Sequence, residues 1–146
     1  VEAQPLAPRA PTGTVDDKMG LRLMEQGPRR YLGEDDSGKG RLLMRPDISL
    51  LDDLNRPVAI LDTKWKLLES SNPLASLSSA DLYQLSTYAS AYRCDQVMLL
   101  YPEQSGFRGE YQMSLNLARP VTLNVLAVPL DGKGLSLSVR NVAEFM

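Results

Sequence analysis

Residues 57–66 read Pro57-Val-Ala-Ile-Leu-Asp-Thr-Lys-Trp-Lys66, an apolar run that ends in alternating charged residues. Because Val58–Leu61 is apolar on both faces of an extended segment, it predicts a central strand covered from both sides. Side chains alternate along a strand, which divides the end of this stretch between two faces. One face carries Asp62, Lys64 and Lys66, and the other carries Leu61, Thr63 and Trp65. An acid and an amine therefore lie together where a buried strand ends.

A second carboxylate comes from the segment Arg45-Pro-Asp-Ile48, which precedes a turn rich in Asp and Asn. This turn returns the chain, so the strands that carry Asp47 and Asp62 are expected to pair and to bring both carboxylates to one point. Two like charges so close raise each other's pKa unless a cation lies between them. The spacing therefore favours a cation site.

Mg²⁺ and Mn²⁺ are hard cations that prefer oxygen ligands, and either would satisfy this geometry. The expected ligands are Asp47, Asp62 and the backbone carbonyl of Thr63. A metal held there lowers the pKa of a bound water and neutralises charge that develops on a phosphodiester. Lys64 is expected to orient that water or to stabilise the pentacoordinate state. The alternative is a surface salt bridge, because Asp and Lys two residues apart are common in strands.

The composition narrows the class of protein. A chain of 146 residues predicts one domain, residues 1–146, divided into an extended N-terminal segment (1–28), a catalytic core (29–102) and C-terminal strands (103–146). Without histidine, hydrolysis must use carboxylates, lysine, tyrosine or hydroxyls. The single cysteine, Cys94, indicates a reducing, cytoplasmic compartment. The net charge of −2 argues against DNA binding by bulk electrostatics, and no apolar run is long enough to span a membrane.

Periodicity predicts both strands and helices. We expect a short helix in 19–26, a hairpin of strands 29–32 and 41–51, the central strand, a helix at 78–93, and strands 97–101, 111–117, 121–128 and 135–139. Ser78-Ser-Ala-Asp81 is typical of a capping box that opens the long helix. The apolar face of that helix is predicted to consist of Leu82, Leu85, Ala89 and Tyr92. The order strand, helix, strand predicts a parallel crossover.

Gln84 and Tyr88 are four residues apart and share one face of this helix. A polar flank beside a core tyrosine is the alternative interpretation. Together with Asp47 and Asp62-Thr-Lys64, this pair resembles the D…(D/E)xK…QxxxY series of the PD-(D/E)xK nucleases, particularly their RecB-like branch. The stretches that more closely resemble the C-terminal nuclease region of McrC, the cleavage subunit of the McrBC modification-dependent restriction system, are 44–48, 60–66, 81–84 and 99–102.

The resemblance implies an α/β (α+β) fold of the restriction-endonuclease type, a mixed β-sheet flanked by helices. It implies Mg²⁺-dependent cleavage of DNA that carries modified cytosine, in partnership with a McrB-type AAA+ GTPase. It further implies roles for individual residues, with Asp47 and Asp62 as metal ligands, Lys64 as a catalytic residue, and Gln84, Tyr88, Arg45 and Lys66 as supporting or DNA-contacting residues. Because a double-strand break normally needs two active sites, a dimer is a further hypothesis.

The sequence also departs from the family pattern. The acidic residue that the family carries on a helix before the first strand has no clear counterpart, since neither Glu2 nor Glu25 lies in a convincing long helix. The region that would dock on the motor is also not found, and the chain begins with Val1, so we expect a fragment or a truncated relative. Two alternatives stay open: a non-catalytic assembly or DNA-binding module that keeps the nuclease fold, and a RecB-like nuclease that acts in repair or on RNA.

Other conspicuous residues favour plainer interpretations. The acids of the loop at 34–36 are expected to be solvated, and Trp65 and Cys94 to be packing residues. Tyr83 is a candidate for stacking on bases. A basic group is equally consistent with phosphate contacts and with a solvated strand edge, and it consists of Arg29, Arg30, Lys39, Arg41 and Arg45.

Overall fold

A computed structural model of the protein describes residues 15–16, 20–64, 77–104, 110–128, 130–131 and 134–135. Within these ranges the chain forms one helix and eleven strands. In chain order they are β1 (Val15–Asp16), β2 (Leu21–Glu25), β3 (Arg30–Glu34), β4 (Gly40–Met44), β5 (Ile48–Leu51), β6 (Pro57–Thr63), α1 (Ser79–Tyr92), β7 (Gln96–Pro102), β8 (Glu110–Asn116), β9 (Pro120–Val128), β10 (Leu130–Asp131) and β11 (Gly134–Leu135).

Seven strands form one mixed sheet in the order β1-β2-β5-β6-β7-β9-β8. β6, β7 and β9 run parallel to one another, while β1, β2, β5 and β8 pair antiparallel with their neighbours. β3 and β4 form a separate hairpin, as do β10 and β11. This mixed sheet with a helix confirms the predicted α+β fold class. No helix in the described part of the chain is long and apolar enough to cross a membrane.

The central strand is β6, as the apolar run predicts. Ala59, Ile60 and Leu61 are completely buried. Strand β6 pairs antiparallel with β5 and parallel with β7, and α1 connects β6 to β7. The predicted parallel crossover is therefore confirmed, and it brings the end of β6 and the start of α1 to the same edge of the sheet.

Helix α1 begins and ends as its sequence predicts. The Ser78 hydroxyl accepts a hydrogen bond from the Asp81 N–H at 3.0 Å, which satisfies one of the free donors of the first turn. Arg93 ends the helix in the left-handed conformation, with its N–H directed to the carbonyl of Ala89. The buried residues of the helix are Leu85, Tyr88, Ala89 and Tyr92, with Leu82 half-buried at the border. The buried face of the helix therefore includes Tyr88 in addition to the predicted residues.

Apolar residues are buried on both faces of the sheet. On the face that α1 covers, Ile60, Val97 and Leu99 pack with Leu85 and Ala89 of the helix. The opposite face forms a second buried cluster, made of residues such as Leu23, Leu50, Leu61, Met98 and Leu100. Because β6 and β7 are covered on both sides, polar side chains at their ends lie at the border of a dry interior.

The short helix predicted in residues 19–26 is wrong. Residues Leu21–Glu25 form β2, which pairs antiparallel with β5 from Arg22↔Leu51 to Glu25↔Ile48. Five residues are too few to stabilise an isolated helix, whereas pairing with β5 satisfies their backbone groups. The partner strand lies more than twenty residues away, so local sequence does not reveal it.

The predicted strand 41–51 is also corrected, because it is two strands. β4 ends at Met44 and belongs to the hairpin, whereas β5 begins at Ile48 and belongs to the main sheet. Pro46, which lacks an N–H and cannot donate to a ladder, lies in the break between them. Of the predicted strand 135–139, only Leu135 lies within the described residues, where it is part of β11.

Candidate active site

Asp47 and Asp62 lie opposite each other on neighbouring chain segments. The register of β5 against β6 pairs Ile48 with Leu61, which places Asp47 across from Asp62 on the face that α1 covers. Oδ2 of Asp47 accepts hydrogen bonds from both the N–H and the Oγ1 hydroxyl of Thr63, each at 3.2 Å. The convergence expected from the turn is therefore present, and Thr63 fixes the orientation of Asp47.

The two carboxyl groups interact directly, with opposite effects on their pKa values. Burial, a hydrogen bond with Asp47 and the charge of Asp47 raise the pKa of Asp62 to about 6, against the opposing effect of Lys64. For Asp47, burial acts to raise the pKa, but the hydrogen bonds from Asp62 and Thr63, with the charge of Lys64, outweigh it and lower the pKa. The two carboxyl groups therefore titrate as a pair, which binds a proton more readily than an isolated aspartate.

Lys64 lies between two carboxylates. Its Nζ is 2.7 Å from Oδ2 of Asp62 and 2.9 Å from Oδ1 of Asp81. Its backbone N–H donates to the carbonyl of Leu100 in β7 at 2.8 Å, which ties the lysine to the sheet. Burial acts to lower the pKa of Lys64, but the hydrogen bonds and charges of Asp62 and Asp81 outweigh it and raise the pKa, so the side chain is an ammonium.

Asp81 belongs to the site, although the sequence did not predict this. The capping-box pattern assigns it to the helix terminus, and its N–H does bind Ser78. The missed signal is the crossover itself, because the residue that opens α1 lies at the edge where β6 ends. Tyr101 of β7 is also close enough to Asp81 to be affected by its charge. Burial and then the charge of Asp81 raise the pKa of the Tyr101 phenol.

Gln84 and Tyr88 lie beside this group, as the helical spacing predicts. Nε2 of Gln84 donates to the phenol oxygen of Tyr88 at 3.4 Å. Burial and then the charge of Asp62 raise the pKa of Tyr88, while a hydrogen bond with the backbone of Arg45 acts against them. Tyr88 thus contacts the turn that precedes Asp47. Gln84 reaches this turn through Tyr88.

The remaining candidates either lie apart from these contacts or fall outside the described residues. The side chain of Arg45 is exposed, and its backbone is what contacts Tyr88. Glu25 is exposed in β2 rather than on a helix, and Glu2, Trp65 and Lys66 lie outside the described residues. In the hairpin, Arg41 is held by Asp35 at 2.9 Å, and Arg30 lies 4.7 Å from the centroid of the Tyr92 ring.

Comparison with protein families gives a match across the region that builds this site. The model of the family described as "McrBC 5-methylcytosine restriction system component" matches residues 15–102, more than half of the chain. The chain belongs to this family. The McrBC match covers β1 to β7 and so contains Asp47, Asp62, Lys64 and Asp81. Searches of curated proteins and of solved structures gave no match.

The carboxyl pair of this McrBC family member suits a hard divalent cation. Asp47 and Asp62 offer oxygen donors, and burial together with the neighbouring Asp47 raises the pKa of Asp62, an effect that a positive charge placed between the two groups opposes. In the described part of the chain, no three His, Cys, Asp or Glu side chains are grouped closely enough to enclose a metal. Two carboxylates are sufficient for Mg²⁺, which keeps several of its waters. Zn²⁺, which prefers nitrogen and sulfur ligands, is disfavoured.

Proposed function

We propose that the protein is a Mg²⁺-dependent endodeoxyribonuclease of the PD-(D/E)xK type, the McrC-like cleavage component of a McrBC restriction system. One observation carries the proposal: the Asp47–Asp62 pair with Lys64 next to it, in a chain of the McrBC family. A carboxylate pair and an amine at the end of a buried strand are the groups that phosphodiester hydrolysis needs in a chain without histidine. The proposed substrate is DNA that carries modified cytosine, and the proposed partner is a McrB-type AAA+ GTPase.

In this proposal, Asp47 and Asp62 hold Mg²⁺ or Mn²⁺, with the backbone carbonyl of Thr63 as a further ligand. The bound cation supplies Lewis acidity toward the scissile phosphate and lowers the pKa of a coordinated water. Thr63 keeps Asp47 oriented through its two hydrogen bonds. The Lys64 ammonium donates hydrogen bonds to the attacking water or to the oxygens of the phosphate, where negative charge accumulates. Tyr88 and Gln84 hold the turn that precedes Asp47.

A second candidate is a non-catalytic module that keeps the fold for assembly or DNA binding. Glu25, one of the two upstream glutamates considered as the family's acid, is exposed and lies on a strand. The net charge of −2 also weakens attraction to a phosphate backbone. This candidate predicts that Mn²⁺ does not bind at Asp47 and Asp62, whereas the nuclease requires that it does.

Cleavage of supercoiled plasmid tests the proposal. The wild-type chain and the Asp62→Asn variant are incubated with Mg²⁺ or Mn²⁺ on cytosine-methylated and unmethylated plasmid, with EDTA as the metal-free control. Asp36→Asn is the matched control, because Asp36 is exposed in the hairpin loop. We expect metal-dependent nicking by the wild type and by Asp36→Asn, and loss of nicking in Asp62→Asn. Equal nicking by Asp62→Asn contradicts the proposal, and an RNA substrate cut in preference to DNA reassigns the substrate.

A further inference from the structure

We propose that Asp81 is a positioning residue that shares the Lys64 ammonium with Asp62 and so leaves Asp62 available to a divalent cation. This inference rests on the proposed metal site. It assigns to the first turn of α1 a role in cation binding that the helix-capping pattern does not indicate. Asp81 acts through Lys64 in this assignment and is not itself a ligand.

The first support is the geometry of the amine. Nζ of Lys64 lies 2.7 Å from Oδ2 of Asp62 and 2.9 Å from Oδ1 of Asp81. The side chains of Lys64, Asp62 and Asp81 are 21%, 10% and 15% exposed, so this arrangement differs from a solvated surface pair. Because the two distances are nearly equal, the ammonium is shared between the end of β6 and the start of α1.

The second support is that Asp81 has an anchor independent of Asp62. Its N–H donates to the Ser78 hydroxyl at 3.0 Å, which fixes the residue in the first turn of α1. The positive end of the helix dipole stabilises a carboxylate at this position. Asp81 is therefore a preorganised anionic partner for the amine, held in the first turn of a helix.

The third support is the balance of charge. Asp47, Asp62 and Asp81 supply three carboxylates, and Lys64 supplies one ammonium. The net charge of these four groups is therefore about −2, which a divalent cation neutralises. If the charge of Asp81 is removed, the ammonium has Asp62 as its remaining partner among these residues. It then competes with the cation for Oδ2 of Asp62. The inference therefore predicts weaker cation binding whenever Asp81 is neutral and Lys64 is present.

Mn²⁺ titration by calorimetry, without DNA, tests this in a double-mutant cycle of wild type, Asp81→Asn, Lys64→Met and the double variant. We expect Asp81→Asn to weaken Mn²⁺ binding by roughly tenfold, as for loss of one partly buried ion pair. In the Lys64→Met background the same change is expected to have little effect, because the competing amine is gone. Asp81→Glu, which keeps the charge, is expected to restore most of the affinity. Thermal melts by circular dichroism confirm that each variant is folded.

Two results overturn the inference. Unchanged Mn²⁺ affinity in Asp81→Asn shows that Asp81 does not hold the amine away from Asp62. An equal loss in the presence and absence of Lys64 shows that Asp81 binds the cation directly. The proposed nuclease function is judged separately by plasmid cleavage, so a chain that shows the predicted coupling but cuts DNA equally well with the Asp62→Asn change refutes the function and keeps the inference.

Discussion

The ammonium nitrogen of Lys64 lies 2.7 Å from Oδ2 of Asp62, a residue that itself faces the carboxyl group of Asp47. Two opposing electrostatic effects act on Asp62 at this contact. Asp62 is buried beside another acid, which disfavours its charge, and Lys64 partly compensates for that charge. In the absence of a cation, the site is therefore electrostatically strained, and several measurable properties follow from this.

The stability of the metal-free protein is expected to rise as the pH falls from about 7 to about 5. The folded pKa of Asp62 is about 6, above the value of 3.8 for the free side chain, so the folded state takes up a proton in this window that the unfolded state does not. Between pH 7 and pH 5 the gain in the free energy of unfolding is about 1 kcal/mol. The sequence has no histidine to titrate in this pH window. The pKa of Asp47 is lowered, so Asp47 titrates at a pH below the window.

Urea unfolding in EDTA at pH 5 and pH 7 measures this difference. Asp62→Asn is expected to remove the pH dependence and to stabilise the metal-free protein at pH 7, whereas Asp36→Asn keeps the wild-type slope. A wild-type chain that is equally stable at both pH values contradicts the raised pKa of Asp62.

The hydroxyl of Tyr92 is expected to stabilise the attachment of the hairpin to the helix. This hydroxyl is buried and contacts the carbonyl of Pro28 as well as that of Met44, the latter at 3.4 Å. Tyr92→Phe leaves these carbonyls without their donor and is expected to lower the free energy of unfolding by about 1–2 kcal/mol. Tyr83→Phe is the control, because Tyr83 is 74% exposed. Equal stability of the two variants in urea counts against this role.

The hydrogen bond of the Ser78 cap is expected to contribute about 1 kcal/mol to the free energy of unfolding. Ser78→Ala removes the acceptor of the Asp81 N–H and loosens the first turn of α1. Ser79→Ala, one residue further along in the same turn, is the matched control. Thermal unfolding followed by circular dichroism measures both, and a loss no greater in Ser78→Ala than in Ser79→Ala shows that the cap is unimportant. If Asp81 positions Lys64, Ser78→Ala also weakens Mn²⁺ binding.

Cys94 is expected to react slowly with iodoacetamide in the folded protein. The side chain is buried, and this burial raises the pKa of the thiol to about 11, so little thiolate is present at pH 8. Mass spectrometry of the alkylated protein with and without urea measures the rate. We expect urea to accelerate the reaction strongly, and rapid labelling of the native chain is the opposing result.

The centre of the site was predictable because its signals are local. Alternation along a strand places Asp62 and Lys64 on one face, and the spacing of Gln84 and Tyr88 places them on one face of a helix. The structure confirms both pairings. The apolar run before Asp62 likewise predicted that β6 is central, because a strand covered on both sides has no polar face.

The features that the sequence did not predict depend on contacts between residues far apart in the chain. β2 is a strand because β5 lies beside it, and its five residues alone do not reveal that pairing. Asp81 reaches Lys64 across the connection between β6 and α1, whereas its sequence context shows its role in the cap alone. Which side chains meet at an edge of the sheet depends on strand order, and the seven-strand order includes neighbours far apart in sequence.

The most direct test of the central claim is plasmid cleavage by Lys64→Met compared with Lys39→Met, in Mn²⁺ and in EDTA. Lys39 is exposed in the hairpin loop, so its replacement removes the same charge away from the site. The account predicts that Lys39→Met cuts like the wild type in Mn²⁺, that Lys64→Met leaves the plasmid supercoiled, and that EDTA stops all cleavage. Cleavage by Lys64→Met at the wild-type rate would contradict it.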